Sequence, residues 1–463
     1  MKSIWKLTLI AAVVLVAAVV TIPAAADSSE TTVPAKPTFA KDISRIFQEK
    51  CEECHRKGTA APMSLVSYQE VRPWAKAIRE RVITRNMPPW HLDKTVGIQH
   101  FQNDRSLTDE QINLIVKWVD SGAPMGDAKD MPAPKQWQED QGWVLAKQYG
   151  EPDLVLKSED YTMPAQAQDA WFRPVTDVPL TEARWVRAVE MRPGTVKGRR
   201  IMHHVLAGLI QEEPAARPAR ASGDSDSSDN SNAGAAGPGL LMEWAIGKAY
   251  DVYRPNCGKL LLPGSRISWE LHLHAVGEEI RDHAELAVYF YPKGEVPKYR
   301  TRLTLFGATA NTSSRLDIPP NSIAVTQGYH VLAQPARLEN FQPHMHLRGK
   351  AMSIEAILPN GTTQMLSYVD KFNFNWMNNY IYTFEDAPVL PKGTIIHVTA
   401  WHDNTTANKN NPDPDQWVGW GDRTVDEMAH AWVNVTYITE DDYKAWLAQK
   451  KAKGPTASRE VQQ

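Results

Sequence analysis

The chain has 463 residues, with 51 basic and 54 acidic side chains and a formal net charge of −3. That balance offers no basic surface for nucleic acid, and three cysteines leave no room for the disulfide framework of a small exported domain. At 42% hydrophobic residues the chain can bury real cores, and its length fits roughly three domains.

Residues 1–26 read as a cleavable export signal. Lys2 and Lys6 supply a positive start, Leu7 to Val20 an apolar run, and Ala24-Ala25-Ala26 a small-residue cleavage site before Asp27. The run is short for a membrane span, which needs about 20 residues. No cysteine stands near the cleavage point to carry a lipid, and no later stretch is apolar enough to cross a bilayer. The expected mature protein is periplasmic or secreted and is not an integral membrane protein.

Residues 36–127 carry the most specific motif, Cys51-Glu52-Glu53-Cys54-His55. C-x-x-C-H is the attachment signature of one covalent c-type haem: two thiols bond the porphyrin and the histidine ligates iron. A structural zinc site would need a second ligand pair, and only Cys257 remains. Ile43, Ile46 and Phe47 recur at helical spacing before the motif, with Asp42 as N-cap. Thr108 caps a second helix bearing Ile112, Leu114, Ile115, Trp118 and Val119, which Gly122 ends. Between them, Met87-Pro88-Pro89-Trp90 presents a thioether on a stiff loop, so Met87 is the expected sixth iron ligand, with Met63 and His91 as competitors. The pattern resembles a class I cytochrome c.

A Pro-rich linker, residues 128–150, leads to a β-rich body. Alternating segments such as Arg184 to Val189 and Ala284 to Tyr289 predict antiparallel sandwiches, expected over residues 151–299 and 300–439, with a C-terminal tail at 440–463. The stretch 213–239 has almost no apolar bulk and reads as a disordered loop. Cys257 reads as a buried small apolar residue, with copper ligation as the alternative.

Three histidine clusters are set into this body: His203-His204, His272-Leu273-His274 and His344-Met345-His346. His-x-His on a strand puts both imidazoles on one face and makes a chelating pair. His-His needs a bulge or a strand end to do the same. His100, His283, His330 and His397 stand alone and read as satisfied core or surface residues. Imidazole sets suit copper or zinc, and a thioether, offered by Met428, favours cuprous copper. The Asp403, Asn404, Asp413 and Asp422 loop before it reads as turn chemistry, with orientation of the histidines as the alternative. Arg348 reads as a surface ion pair or an anchor for an anionic substrate.

In order, His203-His204, His272, Pro343-His344-Met345-His346 and Asp426-Glu427-Met428 resemble the copper type II, ascorbate-dependent monooxygenases, the peptidylglycine α-hydroxylating and dopamine β-monooxygenase group. The chain is most similar to a bacterial form that fuses a c-type haem domain to that core, from about Phe39 to Val435. Arg85 to His91, Trp118 to Pro124, Pro343 to Gly349, Asn411 to Pro414 and Trp420 to Asp422 are further matching stretches. The resemblance implies a multidomain fold: an N-terminal all-α class I cytochrome c-like domain, then two all-β antiparallel sandwich copper domains facing each other across a solvent-filled cleft.

It also implies two coppers. His203, His204 and His272 would hold the electron-transfer copper, with His274 able to share or replace the role of His272. His344, His346 and Met428 would hold the copper that binds O2. The implied enzyme is a copper-dependent monooxygenase that hydroxylates a C–H bond of a small organic or peptide substrate. Electrons would come from a small reductant or redox protein and reach copper through the haem. The alternatives are a copper-dependent reductase or oxidase and a non-catalytic haem/copper electron-transfer protein.

Overall fold

The computed structural model describes residues 34–452, apart from 35, 58, 60, 62, 138–141, 213–238, 246–247 and 311–315. The export signal at 1–26 and nearly all of the polar loop at 213–239 lie outside the described residues.

The expected all-α cytochrome domain followed by two separate sandwiches is not what the chain builds. Among the described residues there are 24 strands and six α-helices, and 16 of the strands share one mixed sheet. The α-helices before residue 121 are short, with seven, four, nine and 12 residues. They enclose a small core in which Phe39, Phe47 and Trp118 meet ring to ring.

The physical reason lies just past Met87. Instead of returning to the helices, Trp90, Leu92 and Phe101 bury in the core of the C-terminal β half. Isolated bridges join Leu92 to Val369 and Phe101 to Tyr382. The Asn378 side-chain amide donates to the Pro89 carbonyl at 2.8 Å. The N-terminal segment therefore completes the β body rather than standing alone.

Local capping follows the sequence in one helix and departs from it in the other. Thr108 caps Asp109–Asp120 through a reciprocal box with Gln111, and Ile112, Ile115 and Trp118 face inward. Asp42 is not an N-cap. It lies inside a wide turn, Phe39–Ile43, that precedes the helix Ser44–Lys50, and its carboxylate accepts the Thr38 N–H at 2.7 Å.

The strand Tyr299–Gly307 is the hub of the large sheet. It pairs parallel with Cys257–Leu261, meets Leu240–Ala245 only at Leu303↔Leu240, and pairs along most of its length with His430–Tyr437. Beyond His430–Tyr437 comes Asn340–His344. On the other side, Leu240–Ala245 continues into Met202–Ile210 and Arg266–Leu273. The two β halves are thus welded through one strand. A single pair at Leu303 lets the flanking strands diverge with the natural twist, so their inner faces form a wedge. A separate four-stranded sheet, with Ile323–Val331 at one edge and Thr363–Val369 at the other, packs on the C-terminal half and buries Met352, Ile354 and Val398. The predicted alternating segments lie in Arg184–Pro193 and Ala284–Phe290, paired to each other. Among the described residues no helix is long and apolar enough to cross a membrane.

A candidate metal centre in the wedge

His203 and His204 open the strand Met202–Ile210. Opposite them the ladder runs His272↔His204 and then Leu273↔Met202, so His203 is the extra residue of a bulge. The bulge does what adjacent histidines on a strand require: it turns both rings toward one point. Ring centroids lie 5.5 Å apart for His203–His204, 5.2 Å for His203–His272 and 4.9 Å for His204–His272. Ligand atoms of the three all lie within 4.8 Å of one another. His204 Nδ1 is 3.3 Å from His203 Nδ1 and 3.4 Å from His272 Nδ1, a crowd of nitrogen lone pairs that suits a shared cation.

His274 does not join them. Its side chain is 64% exposed, and its Nδ1 reaches Asp169 at 2.9 Å. The same carboxylate takes His272 Nε2 at 3.0 Å and the Thr424 hydroxyl at 3.0 Å. The His272 bond, aided by His274 and Thr424, holds Asp169 well below the usual carboxylate range. Asp169 is thus an anionic orienter behind a ligand imidazole, and Trp171 stacks on that ring at 4.5 Å.

The second set sits across the wedge. His344 ends its strand, and His346 lies in the turn that follows, both buried, with ring centroids 5.4 Å apart. Glu427 organises this turn. Its carboxylate accepts the backbone N–H of His346 at 2.8 Å, of Arg348 at 2.6 Å and of Met428 at 3.3 Å, tying the Met428 backbone to the histidine turn. The Met428 carbonyl lies 3.1 Å from His402 Nε2. His430 stacks on His344 at 5.0 Å and uses its Nδ1 on the Thr309 hydroxyl.

The two sets touch. His204 and His344 stand 5.9 Å apart, and Phe374 stacks on His203 at 4.6 Å while meeting His346 edge-on at 5.9 Å. Arg173 bridges Glu270 and Asp422 at 2.6 and 3.1 Å. The solvent-filled cleft expected between the halves is closed at this level.

Burial first, then neighbouring imidazoles, lowers the histidines. His203 falls to about 3, while His204 and His344 lie well below the ordinary value. His346 falls to about 4 by burial. Neutral imidazole is the ligand form, and the His344 Nδ1 is buried without a protein partner. The donor set fits a metal.

The haem motif forms one turn. The N–H groups of Cys54 and His55 both return to the Cys51 carbonyl, at 3.2 and 3.0 Å. His55 is buried, and its Nδ1 lies 3.1 Å from the Met63 carbonyl, which leaves Nε2 for iron. Cys51, Cys54 and His55 are the groups that would hold a covalent haem. Met87 follows the helix Ala75–Ile83, its N–H held by the Arg81 carbonyl at 3.2 Å. His91 is buried on the β side, its N–H on the Tyr380 hydroxyl at 3.3 Å.

Other residues fall into structural roles. Cys257 is 1% exposed and accepts from Arg337 at 3.3 Å. His100, His283 and His397 pair with Asp386, Asp160 and Glu355, and His330 bonds the Gly307 backbone. Arg348 is no surface residue. It is 1% exposed and donates to Asn404 Oδ1 at 2.8 Å and to the Val425 and Asp413 carbonyls at 2.9 and 3.2 Å.

Asp169, His402, Glu427 and His430 escaped the sequence reading. His430 had a usable signal, since it alternates with Met428.

No family model matches this chain, and no curated protein does. Among solved structures it is similar to an infectious bursal disease virus VP2 subviral particle, at 9% identity over 64% of this chain and 74% of that one, with a TM-score of 0.18. Derived T=1 particles of that virus align at 10% identity over 62% and 70%, with a TM-score of 0.17.

Proposed function

We propose that this chain is an exported haem–copper monooxygenase acting on a C–H bond of a small organic or peptide substrate. The observation that carries the reading is the buried imidazole cluster, in which His203, His204 and His272 converge within 4.8 Å and His344 and His346 lie alongside. Copper held by these imidazoles would supply one-electron chemistry with O2, and haem held by Cys51, Cys54 and His55 would supply an electron store. Met87 is the proposed sixth haem ligand and Met428 the proposed sulfur donor beside His344 and His346.

The chain's own residues prepare the site. Burial keeps His203, His204, His344 and His346 neutral and ready to ligate. Asp169 orients His272 and balances positive charge. Trp171 and Phe374 stack on His272 and His203 and exclude water from those faces. Glu427 holds the His346 turn by backbone hydrogen bonds.

Metal analysis of protein expressed into a periplasm tests the reading. It expects about two copper and one iron per chain, and oxygen-18 from O2 in a hydroxylated product. Iron without copper would overturn it.

The 5.9 Å approach of His204 to His344 favours a second reading: a coupled copper site that reduces its substrate or O2 without hydroxylating carbon. Oxygen-18 appearing only in water would select it.

A further inference from the structure

A polar seam runs behind the imidazole cluster. At its outer end is a pocket whose wall includes Asp251, Tyr253, Asn379, Asn434 and the exposed Phe384. The Tyr253 hydroxyl, Asn379 Nδ2 and Asn434 Oδ1 are buried and have no hydrogen-bond partner. Further in, Lys248 Nζ lies 3.5 Å from Asp251 and 3.4 Å from Glu243, and all three side chains are at most 5% exposed. Glu243 accepts the Gln342 amide at 2.7 Å. Gln342 is two residues before His344 on the same strand, and so on the same face. Glu243 likewise shares a face with Ala245, whose ladder partner is His204.

Glu243 Oε1 and Gln342 Oε1 are also buried without hydrogen-bond partners. Orphaned polar atoms are rare in protein interiors and costly unless water holds them. Here five of them and the Lys248–Asp251 ion pair are strung along one seam, and it ends beside His344. A purely structural ion cluster would not need to reach both the surface pocket and the imidazoles. Burial raises Glu243 to about 7, which lets its carboxyl both take and release a proton near neutral pH.

We propose that Glu243, Lys248 and Asp251, with water between them, form a proton path from the Tyr253 pocket to the imidazole cluster. This rests on the reading that the cluster holds a redox metal. Hydroxylation takes R–H, O2, two electrons from the donor and two protons to R–OH and water. Glu243 and its neighbours are positioning and transfer groups and touch no substrate.

The test uses the full chain loaded with copper. Stopped-flow reduction in weak buffer with an indicator dye reads proton uptake beside metal reduction. Glu243→Leu is expected to slow uptake at least tenfold at unchanged copper content, and Glu243→Asp to restore most of it. Equal rates in Glu243→Leu and wild type overturn the path. Should Glu243→Leu fail to fold, Asp251→Asn at the pocket end serves instead, with the same slowing expected and the same overturning result. A high-resolution crystal structure of the wild type must also show ordered water joining Asp251, Glu243 and Gln342, and a dry seam overturns the path. Protein that binds no copper sinks the functional reading, while the waters still decide whether the seam is a conduit.

Discussion

His204 and His344 meet edge to face, with ring centroids 5.9 Å apart and planes at 85°. They come from opposite walls of the wedge, so the two ligand sets form one electrostatic unit. Each imidazole makes a charge on its neighbours more costly.

That contact predicts coupling. His204→Ala and His344→Ala should each lower copper affinity, and the double variant should lose less or more than the sum, by about 0.5–3 kcal/mol. Chelator-competition titrations of the four proteins measure the cycle. Losses that add would mean two independent sites.

Asp169 makes a sharper claim about the first triad. Its carboxylate serves buried His272 and exposed His274 together. Asp169→Asn should weaken copper binding by about 10–100-fold, because a carboxylate behind a ligand histidine fixes its tautomer and raises its basicity. His274→Ala should leave affinity nearly unchanged. The same titration checks both, and the reverse order would make His274 the ligand.

Arg348 predicts a stability effect with a functional echo. Its guanidinium joins Asn404, Val425 and Asp413 in a buried fork. Arg348→Ala strands those acceptors and should cost roughly 3 kcal/mol or more. Arg348→Lys cannot span the fork and should recover little of the loss. Urea midpoints measure both, and copper content should fall in step, since the Val425 to Met428 turn loses its anchor.

What the sequence made legible divides by range. The bulge that adjacent histidines demand is present at His203, but the strand rule for His-x-His fails at both pairs: His274 is exposed on Asp169, and His346 lies past the end of its strand. The strands Arg184–Pro193 and Ala284–Phe290 fall where the sequence places strands, but their burial is nearly continuous rather than alternating, because both faces are covered. Asp169 shows nothing, because its role depends on His272 and Thr424 arriving from far along the chain. Arg348 looked like a surface charge because two of its three acceptors are backbone carbonyls, which leave no mark in sequence. The independent helical domain failed for the same reason: Trp90 reads as a loop residue until Tyr380 is brought to it.

Trp90 therefore tests the docking of the N-terminal segment. It is 6% exposed and packs edge-on to Tyr380 at 4.7 Å and to Phe101 at 5.7 Å. Trp90→Ala should cost about 3–5 kcal/mol, through a cavity at the seam between helices and sheet. Thermal melting should fall, and limited proteolysis should cut between Met87 and Phe101 before it cuts the β body. A protected junction would mean that other contacts carry the docking.

Lys259 predicts a pH dependence remote from the imidazoles. Its ammonium is buried near Asp251, Lys248 and the Tyr253 ring, donating to the Leu240 and Leu241 carbonyls at 3.3 and 2.7 Å. Burial outweighs the attraction of Asp251 and lowers it from 10.5 to about 7. Between those values the unfolded chain holds a proton that the folded chain has released, so stability should rise with pH across that window. The slope from one such group is at most about 1.4 kcal/mol per pH unit. Below about 7 both states are charged and the contribution is flat. Lys259→Met removes the titration while leaving the two carbonyls with a constant loss. Urea midpoints from pH 7 to 10 should climb more steeply in the wild type than in the variant. Parallel curves would mean that Lys259 keeps its charge in the fold.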